Sequence, residues 1–353
     1  MMRTIARMLT LMMLFCLAMT PGMAENADVP VVALRVMDYG DIYLELYPEI
    51  APATVENFLK LIDSGFYNGL TFHRIISGFM AQGGDPLGNG TGSSEETIRG
   101  EFSSNGVENT LKHERGVLSM ARSSDPNSAS CQFFIMHEDA THLDGDYAAF
   151  GRVIAGMDAV DAMCMNAHVT DGNGTVPKED QPVITEAVRV ERAEAEAAVA
   201  REAENGAAGG RFEDAVSGVS FQLPEGWALK EKKNGNYLFS DGSATFSVST
   251  VDVWRRLGKS AQEQYVAAGR DREQLGTEAF DRTAFASATG TDAETMTEKE
   301  VNGILWLASG TERNGENLRY FSGATRGTVI MLGGTEGAAE AAMETVLESI
   351  TVK

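Results

Sequence analysis

Thr71–Asp85 reads TFHRIISGFMAQGGD. A single arginine, Arg74, stands among Phe72, Ile75, Ile76, Phe79 and Met80, and two glycines follow Gln82. An exposed arginine needs no such apolar company. A buried one needs a partner, because unpaired buried charge is costly. The seven residues before Arg74 hold no acid, so the partner has to come from elsewhere in the chain.

Around this stretch the hydrophobic pattern is regular. Residues 31–47 read as a hairpin, with Ile42, Leu44 and Leu46 on one face, Tyr43, Glu45 and Tyr47 on the other, and Asp38-Tyr39-Gly40 as the turn. In APATVENFLKLIDSGF, Val55, Phe58, Leu59 and Ile62 recur at helical spacing, with Pro52 at the start and Gly65 just past the end. Residues 83–116 are rich in Gly, Ser, Asn and Glu and read as a long ordered loop. GVLSM, QFFIM and AAFGRV are strand-sized apolar runs, a second helix covers about Met157–Ala167, and PVITEAVRV is a closing strand. Many strands with two helices point to a barrel with helices over its ends.

The chain has 353 residues, which predicts two domains. Its formal charge of −22, from 51 acids and 29 bases, disfavours nucleic acid and anionic lipid surfaces as partners. Residues 1–24 have the make-up of a secretory signal. Arg3 and Arg7 precede the apolar run Met8–Met19, and Pro21-Gly22-Met23-Ala24 supplies a break and small residues for cleavage after Ala24. The run is short for a membrane span, so the expectation is export without membrane insertion, to the cell envelope or beyond it. Past the signal only Cys131 and Cys164 remain, which is no disulfide framework, and both read as buried thiols.

Several familiar chemistries fail on spacing. His137 and His142 in HEDATH are five apart, one more than a zinc helix requires. Asp171–Thr175, DGNGT, begins like a calcium loop, but Gly is missing at the sixth position and Pro182 stands where the ligand glutamate belongs. GNGTG at Gly88–Gly92 lacks the flanking strand and helix of a phosphate cradle. No serine sits in a nucleophile elbow. Neither a metal nor a cofactor is expected.

What remains is Arg74. The later runs QFFIM and HLDGDYAAFG could join its own stretch in one apolar pocket with a cationic donor and an amide, Gln82. Such a pocket, lacking a nucleophile and an acid–base pair, can bind an apolar group bearing a carbonyl and stabilise a reaction that breaks no bond. FHRIISGFMAQGGD, GVLSMARSSDPNSASCQFFIM and LDGDYAAFGRV, in this order and spacing, resemble the three diagnostic blocks of the cyclophilin family of peptidyl-prolyl cis–trans isomerases. The resemblance implies a mainly β fold over residues 30–192: a closed eight-stranded antiparallel barrel with two capping helices and its site in an outer groove. It implies Arg74 and Gln82 as catalytic residues. Phe79, Met80, Phe134 and Leu143 become the proline pocket, with Ala121, Arg122, Gln132 and Tyr147 as further substrate-binding residues. Its substrates would be proline-containing polypeptides. Phe72, Ile75, Phe133 and Ile135 stay core candidates. His142 stands where many members carry tryptophan, and Tyr147 where many carry histidine. The tryptophan helps bind cyclosporin, so weak binding of that drug is expected. His142 reads as an exposed loop histidine, and Tyr147 as groove rim or simple packing.

Residues 193–211 change character to an Ala/Glu/Gly-rich linker, half helical spacer and half hinge. Residues 212–353 read as an α+β domain, with strands near Phe221, Tyr237–Ser240, Ala244–Val251, NGILWLASGTE and LRYFSGATRGTVIMLGG. Helices are expected over Ser260–Gln274 and Glu336–Ser349. The GVSFQLPEGW motif and the element order resemble small PsbP-type modules attached to exported bacterial proteins. This half holds no His or Cys, so a docking or binding role is the default. Two functions are therefore in play: an exported proline isomerase that assists folding, or a non-catalytic proline-segment binder docked at the envelope.

Overall fold

The computed structural model describes residues 29–214, 216–279 and 282–353. The stretch read as a signal lies outside them. The expected hairpin is β1 (Val31–Val36) and β2 (Gly40–Leu46), and the amphipathic helix is α1 (Pro52–Asp63). Then follow β3 (Thr71–Ile76), β4 (Met80–Asp85), β5 (Val117–Met120), β6 (Phe133–Met136), β7 (Ala149–Ala155), α2 (Met157–Asn166) and β8 (Ile184–Arg189). The eight strands form one antiparallel, curled sheet in the order β3-β4-β6-β5-β7-β2-β1-β8. Its concave side, with α1 and α2, encloses a core in which Phe58, Tyr67, Phe72 and Phe133 meet at centroid distances of 5.2–5.9 Å. Phe72, Ile75, Phe133 and Ile135 all belong to this core.

The barrel is not closed, contrary to expectation. β3 and β8 remain the two edges, joined by the bridge Thr71–Val183 and by backbone bonds such as Phe72 N to Pro182 O (3.0 Å) and Ile184 N to Leu70 O (2.8 Å). Pro182 has no N–H to extend a ladder. Further along β8, Ala187 N donates instead to the Asn68 side chain at 2.8 Å. Nor does α1 carry its own cap: Glu101, from the long loop, accepts from Ala53 N, Thr54 N and Thr54 Oγ1 at 2.6–3.0 Å. This fixes the loop to the helix dipole.

The linker helix, α3 (Arg192–Glu204), is not a free spacer. Ala195 and Ala198 pack against Val31, Ala33, Tyr43 and Ala155 on the outer face of β1, β2 and β7. Glu202 also accepts from Gly156 N at 2.6 Å, at the start of α2. Alanines, counted as helix formers in the sequence, are also the residues small enough to lie close on a sheet.

The C-terminal region has its own core. β9 (Arg211–Glu213), β10 (Val219–Gln222) and the terminal β18 (Thr351–Val352) form a small sheet in the order β18-β10-β9. A seven-stranded sheet runs β11-β12-β13-β17-β16-β15-β14, from β11 (Ala228–Lys233), β12 (Asn236–Ser240), β13 (Thr245–Asp252), β14 (Thr297–Val301), β15 (Ile304–Arg313), β16 (Glu316–Thr325) and β17 (Thr328–Thr335). The expected helix over Ser260–Gln274 is two, Lys259–Ala267 and Arg272–Ala279, separated around Gly269, whose φ is 78°. The run LRYFSGATRGTVIMLGG is a hairpin, turning at Arg326 (φ 49°) and Gly327 (φ 71°). The last helix, Ala338–Ser349, buries Ala339, Ala342, Met343, Val346 and Leu347 against the sheet.

Because α3 covers apolar sheet surface, a fragment of residues 25–190 is expected to be less stable than one of residues 25–206. The difference should be about 1–3 kcal/mol in urea unfolding. Equal midpoints would show that the helix contributes no packing.

Candidate active site

The site starts from an irregularity in β3. Pairing with β4 matches Phe72 to Gly83, Arg74 to Gln82 and Ile75 to Ala81, which leaves His73 as an extra residue. This bulge breaks strict alternation. Phe72 and Ile75, three apart, both enter the core, and Arg74 between them points out. The two glycines after Gln82 serve close packing beneath the strand. A Cβ on Gly83 would stand 3.0 Å from the Phe72 ring, and one on Gly84 (φ 81°) would stand 2.7 Å from Cys131 O.

Arg74 is half-buried, and its contacts are neutral. Nε donates to Asn173 O (2.8 Å), Nη1 to Gln82 Oε1 (3.3 Å), and Met80 Sδ lies 4.0 Å from Nη1. Among the described residues no carboxylate lies within 4 Å of the guanidinium. Burial pulls its pKa down, opposed by Tyr147 and Asp171, but an arginine stays charged at any working pH. Gln82 is itself oriented: its Nε2 donates to Gln132 Oε1 (2.9 Å), and Gln132 Nε2 donates to Gly92 O (2.8 Å). Gln132 thus acts behind the groove, through Gln82.

The acceptor Asn173 belongs to the stretch DGNGT that fails as a calcium loop. Asp171 Oδ1 accepts from Asn173 N and Thr175 N, both at 3.0 Å, which folds the loop back on itself. The Gly174 (φ 81°) carbonyl accepts from Ile75 N at 2.8 Å, and a Cβ on that glycine would come 2.4 Å from Ile75 O. The Asp-Gly-Asn-Gly composition signals such a turn, but nothing in it announces Arg74 as its partner.

Arg74, Phe79, Met80, Gln82, Ala121, Arg122, Phe134, Leu143 and Tyr147 line one open depression. Met80, Phe134 and Leu143 are buried and make its floor with Val117, Met136 and Ala149 behind them. The Phe134 ring stacks on His113 (6.1 Å) and meets the edge of Tyr147 (5.9 Å). His113 in turn lies between Asp144 Oδ1 (3.1 Å) and Ser119 Oγ (3.0 Å). This looks like a hydrolytic triad, but Ser119 is fully buried, so the chain of bonds orients the His113 ring under Phe134. Tyr147 is both rim and packing, since the Arg122 guanidinium lies 4.7 Å over its ring. Arg122 is pinned by Asp146 O (3.0 Å) and Ser123 O (2.8 Å). His142 is exposed and stacks on Phe79 at 5.8 Å, extending the apolar wall. Cys131 and Cys164 are both buried and free.

The family model for cyclophilin type peptidyl-prolyl cis-trans isomerase/CLD matches residues 31–194. Peptidyl-prolyl cis-trans isomerase B of Bacillus subtilis is 46% identical over 142 residues, spanning 40% of this chain and 90% of its own length. The chain belongs to the cyclophilin-type peptidyl-prolyl cis-trans isomerases. A probable peptidyl-prolyl cis-trans isomerase of Brucella suis is 43% identical over 161 residues, covering 42% of this chain and 79% of itself. Among solved structures, a Cryptosporidium parvum cyclophilin crystallised in the presence of the dipeptide Ala-Pro is 32% identical. It covers 45% of this chain and 98% of its own, with a TM-score of 0.41. This cyclophilin chain extends well beyond the matched residues, by the whole C-terminal sheet.

Three histidines of the cyclophilin region, His73, His113 and His137, are buried, and burial lowers the pKa of each. In the unfolded chain they protonate near pH 6.5, so below that the unfolded state binds more protons. Stability is then lost as pH falls toward the lower folded values. The urea midpoint is expected to drop between about pH 7.5 and about pH 5.5. His73→Gln, which removes a ring whose two nitrogens are both unpaired, should flatten the drop. A midpoint constant over this range would contradict the assigned burial.

Proposed function

We propose that the depression beside Arg74 is where this isomerase binds proline and rotates the X–Pro bond. The observation that carries the reading is a half-buried guanidinium with only neutral partners, at the edge of an apolar floor of Met80, Phe134 and Leu143. The X–Pro amide resists rotation because its nitrogen lone pair is delocalised. Twisting localises that pair and pyramidalises the nitrogen. Arg74 then donates to the nitrogen, and a donor that binds the twisted state more tightly than the planar one lowers the barrier. Phe79 and the floor hold the ring and exclude water. Gln82 holds Arg74 and orients the carbonyl before the proline, while Ala121 and the Arg122 backbone take the residues preceding it. An acceleration on the order of 10⁵ needs only about 7 kcal/mol.

The chain is proposed to act on proline-containing segments of exported proteins and to assist their folding. The basic-then-apolar start of the sequence and its acidic balance support this. A purely proline-binding role is disfavoured, because Arg74 and Gln82 stand in one groove with Phe79 and Phe134. Cyclosporin is expected to bind weakly, His142 offering a smaller ring than tryptophan at the rim. For the C-terminal region we propose a docking role, supported by the strands-then-helix order that resembles PsbP-type modules.

In a tetrapeptide isomerisation assay, Arg74→Ala is expected to lower kcat/KM by about 10²-fold or more. The urea midpoint should stay nearly unchanged, since only neutral acceptors lose a partner. Full activity in that variant would overturn the mechanism.

A further inference from the structure

The turn that carries Phe79 is held from one side. Ser77 and Gly78 are exposed. Beneath them, His137 Nδ1 accepts from Gly78 N (2.9 Å), and His137 N donates to Phe79 O (2.8 Å). His137 is fully buried just past the end of β6. Because Nδ1 accepts, the proton of the neutral ring sits on Nε2. That nitrogen faces Asp161 Oδ1 of α2 at 3.5 Å. Burial keeps the ring neutral against the pull of Asp161, with Arg115, Glu138 and Asn234 as its other polar neighbours.

The far side of this cluster is taken by the C-terminal region. The β11–β12 hairpin turns through Asn234 (φ 54°) and Gly235 (φ 67°), the rigid two-residue turn that Asn-Gly favours. Its tip enters between two carboxylates. Asn234 N donates to Asp161 Oδ2 at 2.9 Å, beside the Arg115 guanidinium at 2.8 Å. Lys233 Nζ pairs with Glu138 Oε2 at 2.8 Å. One residue earlier, Lys232 reaches Asp158 at 2.8 Å, on the same helix as Asp161. Residues 137 and 138 are therefore held by the Phe79 turn on one side and by the hairpin tip on the other.

We propose that the C-terminal region positions the proline groove, its Lys233–Asn234 tip fixing Asp161 and Glu138, which fix His137 and through it the turn bearing Phe79. His137 is thus a positioning residue for the isomerase, and the appended sheet adjusts the groove in cis. The proposal rests on the assignment of the depression as the proline site. Coupling of this kind passes through contiguous packed and hydrogen-bonded groups.

The test uses the full chain and Lys233→Glu, a substitution at a half-buried position that sets like charges against Glu138. Two readouts are followed: kcat and KM for a proline tetrapeptide, and the Gly78 amide resonance. KM should rise about threefold or more with kcat nearly unchanged, and the Gly78 resonance should move. An unchanged KM, or a raised KM with an unmoved Gly78 amide, overturns the proposal. Should Lys233→Glu unfold the C-terminal region, Asn234→Gly, which keeps the turn and the backbone bond to Asp161 but removes the side-chain amide that donates to Glu138 Oε1 at 3.4 Å, carries the same readouts. Arg74→Ala is assayed in parallel. If it stays active, the groove assignment has failed; if it loses activity while Lys233→Glu behaves as wild type, only the coupling has.

Discussion

The structure depends on holding a positive charge at a groove edge without neutralising it. A carboxylate beside Arg74 would satisfy the guanidinium most readily, and would also occupy the donor that the proposed mechanism offers to the twisted imide. Neutral oxygens do the work here: the Asn173 carbonyl at 2.8 Å and the Gln82 amide at 3.3 Å. Each acceptor has to be held by something else, because a free amide or loop would follow the arginine rather than fix it. The loop is folded around Asp171, and Gln82 is held through Gln132 to the Gly92 carbonyl. The polar side of the groove is thus a set of hydrogen bonds converging on one side chain.

The apolar side follows from the bulge at His73. A regular strand would send Phe72, Arg74 and Ile76 to one face. With one extra residue, Phe72 and Ile75 fill the core while Arg74 reaches the outside. Met80, Phe134 and Met136 then face a second, smaller apolar cluster behind the groove, separate from the main core. His113, stacked on Phe134 and bonded to Asp144 and Ser119, stiffens that floor from below. Polar groups buried there are paired, which is what makes them tolerable in a low-dielectric setting.

Much of this is legible in the chain. The period of two in residues 42–47 and the helical spacing of Val55, Phe58, Leu59 and Ile62 state their elements outright. The grouping of Phe79, Phe134 and Leu143 is legible only through resemblance, since periodicity alone would bury all three in a barrel core. What sequence could not supply are non-local partners. Glu101 capping α1 from a distant loop, and Asn173 accepting from Arg74, depend on how loops return. Alanines in ERAEAEAAVARE suggest a spacer because each is a good helix former, and only the sheet beneath shows why they are small. The charged strand TEKEV has no apolar alternation and forms because β15 offers it an edge.

Among the described residues the two halves are joined by contacts such as the ion pairs Lys232–Asp158 and Lys233–Glu138 and the bond from Arg255 to the Asp38 backbone carbonyl. Such a junction keeps each core intact while letting one sheet bear on the other. Gln82→Glu, which sets a carboxylate against Arg74, asks whether an uncompensated guanidinium is what drives the proposed rotation. A large fall in kcat is expected near neutral pH, with partial recovery as pH is lowered and the new carboxylate protonates. Undiminished kcat at neutral pH would show that the uncompensated charge plays no part in the rotation.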